Sequence, residues 1–177
     1  TQSRSSAASD VYKRQVLSAT VPPANNNNTS WADVGALGTD PTNASRIYAG
    51  TRGGLRKSDD GGVTWTNPLS TSNRCTDLSV ASDGSVWANV GGHAFYSPNG
   101  NDNSWVQISK TLPQQGELGF SSGRQKFAIS AQDPNTVYVV QLNGNALAGL
   151  YKTADRGTTW ELIQAKTALF DPMCNVN

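Results

Sequence analysis

SDDGGVTW, Ser58–Trp65, and TADRGTTW, Thr153–Trp160, are two spellings of one eight-residue pattern, Ser/Thr-x-Asp-x-Gly-x-Thr-Trp. Each position has a physical use. An Asp in a tight turn accepts hydrogen bonds from N–H groups a few residues on; that assigns Asp60 and Asp155. A Gly soon after supplies a backbone position with positive φ, here Gly62 and Gly157. The hydroxyls of Ser58 and Thr153 can tie the other arm of the turn, with Thr64 and Thr159 beside the anchor. Trp65 and Trp160 then carry a large apolar surface into a layer between sheets. The pattern predicts a self-bonded hairpin with an aromatic anchor.

The similarity extends upstream. Asp40–Trp65 (DPTNASRIYAGTRGGLRKSDDGGVTW) and Asp133–Trp160 (DPNTVYVVQLNGNALAGLYKTADRGTTW) share an Asp-Pro start, an Ile-Tyr or Val-Tyr pair and a Gly-Leu-x-Lys run. The two tryptophans lie 95 residues apart, so a period of about 48 predicts a copy between them. Asp77–Trp105 (DLSVASDGSVWANVGGHAFYSPNGNDNSW) fits in degraded form: Pro98-Asn99-Gly100 stands where the Asp turn should be, and Trp105 is retained. Each unit parses as four short strands punctuated by Gly, Asn and Asp. In the middle unit they are Thr76–Ser82, Ser85–Val90, His93–Ser97 and Ser104–Ser109; in the last, Gln125–Ala131, Thr136–Leu142, Gly149–Ala154 and Thr158–Gln164. Four strands every 40 to 50 residues is the signature of a β-propeller blade.

The repeated turn resembles the Asp-box, or BNR repeat, over about Val34–Ile163. That resemblance implies an all-β propeller in which the box is structural and lies on the rim, away from the central ligand pocket. The paired strand-and-box phrasing looks like the sortilin-type propellers of large secreted bacterial proteins. Xyloglucanase-type glycoside hydrolases and photosystem-assembly propellers carry similar repeats. It follows that the chain is expected to be bacterial, extracellular or on the cell surface, with the remaining blades of the ring as partners and a protein or polysaccharide as ligand.

Propellers close about four to eight blades into a ring. Here the expectation is an incomplete propeller of about three blades: residues 29–68, 69–110 and 111–164, with Thr29–Asp40 as the first strand and Trp31 in it. Residues 16–28 read as a remnant of a preceding blade and 165–177 as the start of a following, truncated one. Ser5–Gln15 (SSAASDVYKRQ) back-translates to a transposase adapter used in sequencing libraries, so residues 1–15 are expected to be a disordered artefact.

Setting aside Arg4, Lys13, Arg14 and Asp10 moves the formal net charge from +1 to −1. No basic stripe then remains for nucleic acid, and no apolar run approaches the ~18 residues of a membrane span. Cys75 and Cys174 have neither metal nor redox spacing; a disulfide and two free thiols both stay open. No cofactor or metal motif is present.

For chemistry, a sialidase reading needs three converging arginines. Arg52, Arg74 and Arg124 lie near strand ends and could face the central axis, whereas Arg56 and Arg156 sit in or beside the hairpins and read as solvated surface. A two-carboxylate hydrolase needs an acid pair ~5–10 Å apart. Glu161 follows Trp160 on an outer strand, and Glu117 sits in the Gly-rich loop QQGELGFSSGR, the type that lines a binding face. Asp33 and Asp77 are further candidates; Asp83 reads as a turn residue of Ser82–Ser85. No pair assembles, so no catalytic residue is assigned, and Arg52, Arg74, Glu117 and Arg124 are the binding-face candidates. His93, the one histidine, reads as packing or surface, and Asn99–Asn103 as a plain turn.

Overall fold

Where β-branched and aromatic residues alternate with polar ones, the backbone is extended. The computed structural model describes residue 31 and residues 33–108, 123–144 and 146–165. Among them three antiparallel sheets follow one another, each with its strands in chain order. The first contains β1 (Val34–Asp40), β2 (Asn43–Thr51) and β3 (Gly54–Ser58). The second contains β4 (Cys75–Val80), β5 (Val86–Val90), β6 (His93–Ser97) and β7 (Val106–Gln107). The third contains β8 (Arg124–Ile129), β9 (Val137–Asn143), β10 (Ala146–Thr153) and β11 (Glu161–Ala165). No helix among the described residues is long and apolar enough to cross a membrane.

Three strand expectations need correction. Trp31 lies ahead of β1 rather than in it. The fourth strand of the first sheet shrinks to one bridge, Lys57 to Thr66, closed by backbone bonds of 3.1 and 2.8 Å. Pro68 follows two residues after Thr66, and proline has no N–H to extend the ladder. The expected strand Ser104–Ser109 is likewise trimmed to β7.

One device closes the first hairpin of every sheet. Asp40 accepts from Thr42 N and Oγ1 (2.8 and 2.6 Å), Asp83 from Ser85 N and Oγ (3.0 and 2.7 Å), and Asp133 from Asn135 N and Thr136 Oγ1 (3.0 and 2.7 Å). These are side-chain-to-backbone turns that need only residues two or three apart. They account for the repeated Asp-Pro and Asp-Gly starts.

The core lies between sheets. All five residues of β5 are buried, because successive side chains point to opposite faces and both faces are covered. Val86, Ala88 and Val90 join Tyr48, Leu55, Cys75 and Leu78 against the first sheet. Trp87 joins Ala94, Ile108, Phe127, Val137 and Val139 against the third. Trp87 stacks tilted on Tyr96 and Phe127 at 5.0 and 6.0 Å, and edge-on against Trp160 at 6.2 Å. At about 25 cal/mol per Å2, a tryptophan burying roughly 200 Å2 contributes about 5 kcal/mol of transfer free energy.

Polar clamps join the same sheets. Arg46 of β2 donates to Asp59 (2.5 Å) and reaches Asn99 O on the second sheet (2.8 Å); Lys57 pairs with Asp59 and with Asp102 (3.2 and 3.3 Å). Arg156 bonds Asn135 at 2.7 Å, Tyr96 Oη at 3.2 Å and Asp83 at 2.7 Å. This overturns the reading of Arg156 as solvated surface: its guanidinium locks the third sheet to the second. It does so from a backbone with φ of 58°, unusual for a side chain of this kind. Arg56 is corrected too. It is half-buried, donates to Gly53 O at 3.2 Å, and has its pKa lowered by burial.

Candidate functional site

The first strands of the three sheets lie side by side, β1 against β4 and β4 against β8. Two clefts open along them. One, of about 440 Å3, is lined by Leu37–Thr39, Leu78–Val80 and Phe127–Ile129. The other, of about 270 Å3, is lined by Gly35, Arg74, Cys75, Thr76, Arg124 and Lys126. Equivalent stretches of three strands therefore meet at each cleft, the second at their N-terminal ends.

The second cleft is cationic, and its cations come from two sheets. Arg74 immediately precedes β4 and pairs with Asp33. In β8 the alternation of exposed and buried residues puts Arg124 and Lys126 on one side and Gln125 and Phe127 on the other. Lys126 Nζ lies 2.8 Å from Asp77 and 3.2 Å from Thr76 O. Asp77 also accepts from Phe127 N at 2.8 Å, which ties β4 to β8. Behind the rim runs a buried polar row: Gln125 Nε2 donates to Gln141 Oε1 at 2.6 Å, and Thr76 Oγ1 bonds Asn89 Oδ1 at 2.5 Å. The Cys75 thiol is pushed up to about 12, first by burial. At neutral pH it is therefore a small apolar group and not a nucleophile.

Of the binding-face candidates, Arg74 and Arg124 share this cleft. Arg52 does not line it; it is exposed at the β2–β3 hairpin, with its N–H on Asp33 O at 2.9 Å. Glu117 and Cys174 lie outside the described residues. Lys126 was not singled out from the sequence. The Arg-x-Lys alternation at 124–126 was the available signal, since residues two apart share a strand face. His93 opens β6 half-buried, Glu161 opens β11 exposed, and Asp83 closes its turn.

The two eight-residue turns have nearly superimposable hydrogen bonds. Ser58 Oγ donates to Asp60 at 2.8 Å and accepts Gly62 N at 2.8 Å; Thr153 Oγ1 does the same for Asp155 and Gly157 at 2.8 and 2.8 Å. Asp60 accepts Thr64 N and Oγ1 at 2.8 and 2.6 Å, and Asp155 accepts Thr159 N and Oγ1 at 2.8 and 2.6 Å. Trp65 Nε1 donates to Gly62 O at 3.0 Å and Trp160 Nε1 to Gly157 O at 3.1 Å. The threonine bonds, foremost, hold the Asp60 carboxyl down to about 2 and lower that of Asp155 as well. Gly62 and Gly157 have φ of 93° and 85°. Each tryptophan packs backward: Trp160 on Trp87, Trp105 on the layer against the first sheet, and Trp65 edge-on to Trp31 at 5.1 Å.

No protein-family model matches this chain, and no curated protein is significantly similar to it in sequence. Solved structures are similar in shape. The GH74 xyloglucanase from Xanthomonas campestris superposes with a TM-score of 0.58 at 19% identity, over 75% of this chain and 22% of that one. The GH74 enzyme of Niastella koreensis gives 0.51 at 23%, over 78% and 23%. YCF48 from Cyanidioschyzon merolae gives 0.56 at 17%, over 80% and 43%. At such identities the likeness establishes the fold: the described residues form three antiparallel blades of a β-propeller. The chain spans between 22% and 43% of the length of these structures.

Proposed function

We propose that this chain is an arc of a larger, sortilin-like Asp-box propeller of bacterial origin, extracellular or on the cell surface. In this reading it is a rigid scaffold that binds a protein or a polysaccharide across its axial face and carries no chemistry of its own. The blades are residues 29–68, 69–110 and 111–164, and the eight-residue turns are their Asp-boxes, the middle one degenerate. One observation carries the reading. The axial cleft presents Arg74, Arg124 and Lys126, and of the two carboxylates beside it among the described residues Asp77 is held by Lys126 and Phe127 N–H, which leaves Asp33, paired with Arg74 at the surface, without a second carboxylate to work with. A hydrolytic pair needs an acid and a base free to exchange protons.

Register supports further blades as partners. Tyr48 pairs with Lys57 in the first sheet, Trp87 with Tyr96 in the second, and Tyr138 with Lys152 in the third. The first two pairs are covered by the next sheet, which brings Asp102 to Lys57 and Arg156 to Tyr96. At the third, Tyr138 is 37% exposed with Lys152 over its ring at 6.0 Å. A fourth sheet with an acidic group opposite Lys152 would complete the series.

The alternative is a glycoside hydrolase of sialidase or xyloglucanase type whose active groups lie on other blades; GH74 enzymes share the fold. Affinity electrophoresis in polysaccharide gels, run on the chain joined to its remaining blades beside a reducing-end assay on xyloglucan, separates the two. Retention without release of reducing ends is expected. Release of reducing ends overturns the scaffold reading.

A further inference from the structure

We infer that the outer flank of the first sheet receives a carboxylate from a neighbouring sheet of the same ring, held by Arg56 and seated beside Leu37. The inference deepens the reading of further blades as partners and rests on it. The place is read from a row that recurs in all three sheets. Leu37, Ala49 and Arg56 stand side by side across β1, β2 and β3. Leu78, Ala88 and Phe95 do so across β4, β5 and β6, and Phe127, Val139 and Tyr151 across β8, β9 and β10. The second row packs into the layer against the first sheet, and Phe127 and Val139 pack with Trp87 of the second. Each row thus faces the sheet before it, and the row of the first sheet faces away from the second.

That first row departs from the other two at both ends. Leu37 is 71% exposed, where Leu78 and Phe127 are 7% and 9% exposed. Arg56 stands where the other rows have an aromatic ring. Its guanidinium is half-buried, its pKa is lowered by that burial, and it pairs with no carboxylate among the described residues. It donates to Gly53 O at 3.2 Å, and its Nε–H is buried without an acceptor. By contrast, Arg46 and Arg156 each hold an aspartate, Asp59 and Asp83. A buried donor left unpaired costs stability, more so on a charged group. A carboxylate completes the site, since it lies in the guanidinium plane and takes two N–H bonds at once. The rest of the flank points to a protein sheet as its carrier. Trp31 already lies edge-on to Trp65 there, as Trp87 lies to Trp160. Leu37, two strand spacings or about 10 Å from Arg56, offers aliphatic surface, and both equivalent leucine and phenylalanine positions are covered by a sheet.

The test follows the Arg56 Nε–H signal in 1H–15N spectra of the full chain, assigned by its loss in Arg56→Lys. The probes are the peptides acetyl-Leu-Gly-Glu-amide and acetyl-Leu-Gly-Gln-amide. The acidic peptide should move the signal, less at high salt, and the neutral one should not. Leu37→Ser, a change at an exposed position, should weaken the acidic peptide about tenfold, the scale of one aliphatic side chain leaving water. Arg52→Gln, at the hairpin and outside the row, should leave binding intact. In the chain joined to its remaining blades, the signal should already stand at the peptide-bound position and the peptide should not move it. Equal shifts from both peptides overturn the carboxylate site, as does a signal that the acidic peptide leaves in place in the folded chain. A signal that the peptide still moves in the joined chain overturns the neighbouring sheet as the source and assigns a separate acidic protein. If the signal responds and the joined chain cuts xyloglucan, the scaffold reading fails and the carboxylate site stands. If polysaccharide gels retain the joined chain but the signal never moves, the carboxylate site fails and the scaffold stands.

Discussion

The turns Thr153–Trp160 and Ser97–Trp105 occupy the same place in their sheets and are held by different means. In the first, Asp155 gathers the Thr153 hydroxyl and both donors of Thr159. In the second no carboxylate does this. More of the motif persists than its tryptophan alone, which corrects the sequence reading: Ser97 Oγ still accepts Gly100 N at 2.7 Å and lies 2.5 Å from Ser104 Oγ. The rest comes from the neighbouring sheet, where Arg46 bonds Asn99 O and Lys57 pairs with Asp102. The indoles differ as well. Trp160 Nε1 donates to Gly157 O, while Trp105 Nε1 is buried without an acceptor. A turn can thus lose its internal acceptor when the sheet before it supplies charged contacts.

The largest expected effect tests how tightly the middle turn depends on that neighbour. Gly100 has φ of 69°, and a methyl there would run into the Tyr48 hydroxyl of the first sheet. Gly100→Ala should cost about 3 kcal/mol, combining the left-handed backbone with overpacking. Gly61→Ala, also at positive φ but facing open space, should cost about 1–2 kcal/mol. Adding Tyr48→Phe should recover part of the Gly100→Ala loss; urea unfolding of the four proteins measures the coupling, and strict additivity would refute the contact.

A smaller effect separates the indoles. Trp160→Phe gives up a hydrogen bond that Trp105→Phe does not have. It should therefore be worse by about 1 kcal/mol, and equal thermal shifts would show that the bond to Gly157 O contributes nothing.

The smallest is a pH effect. Asp60 is depressed from 3.8 to about 2 and Asp155 in the same direction, chiefly by their threonine partners. A depressed carboxylate adds stability above its unfolded pKa and loses it as pH falls through the folded one. The melting temperature should therefore drop between about pH 4 and about pH 2, and Asp60→Asn with Asp155→Asn should flatten that drop. An unchanged acid profile would move the acid sensitivity to other groups.

What could be read beforehand was local. Asp60, Gly62 and Thr64 lie within a few residues of Ser58, so chain connectivity alone brings donor to acceptor. The same holds for the hairpin aspartates Asp40, Asp83 and Asp133. The two boxes, with tryptophans 95 residues apart, exposed the period, and the period implied the propeller. What could not be read was long-range. Arg156 meets Asp83 across 73 residues, and Lys126 meets Asp77 across 49. Nothing in TADRGTTW marks its arginine as a clamp between sheets rather than a solvated side chain.

By itself, then, the sequence determined the self-bonded turns, the four-strand units and the order in which they stack. Only the tertiary structure decided that β5 is buried on both faces, that a turn without the box aspartate is held by its neighbour's cations, and that Arg74, Arg124 and Lys126 share a cleft. The reason is geometric. Bonds between residues two to four apart follow from the backbone's own conformation, whereas partners many tens of residues apart are chosen by how one sheet lies on the next.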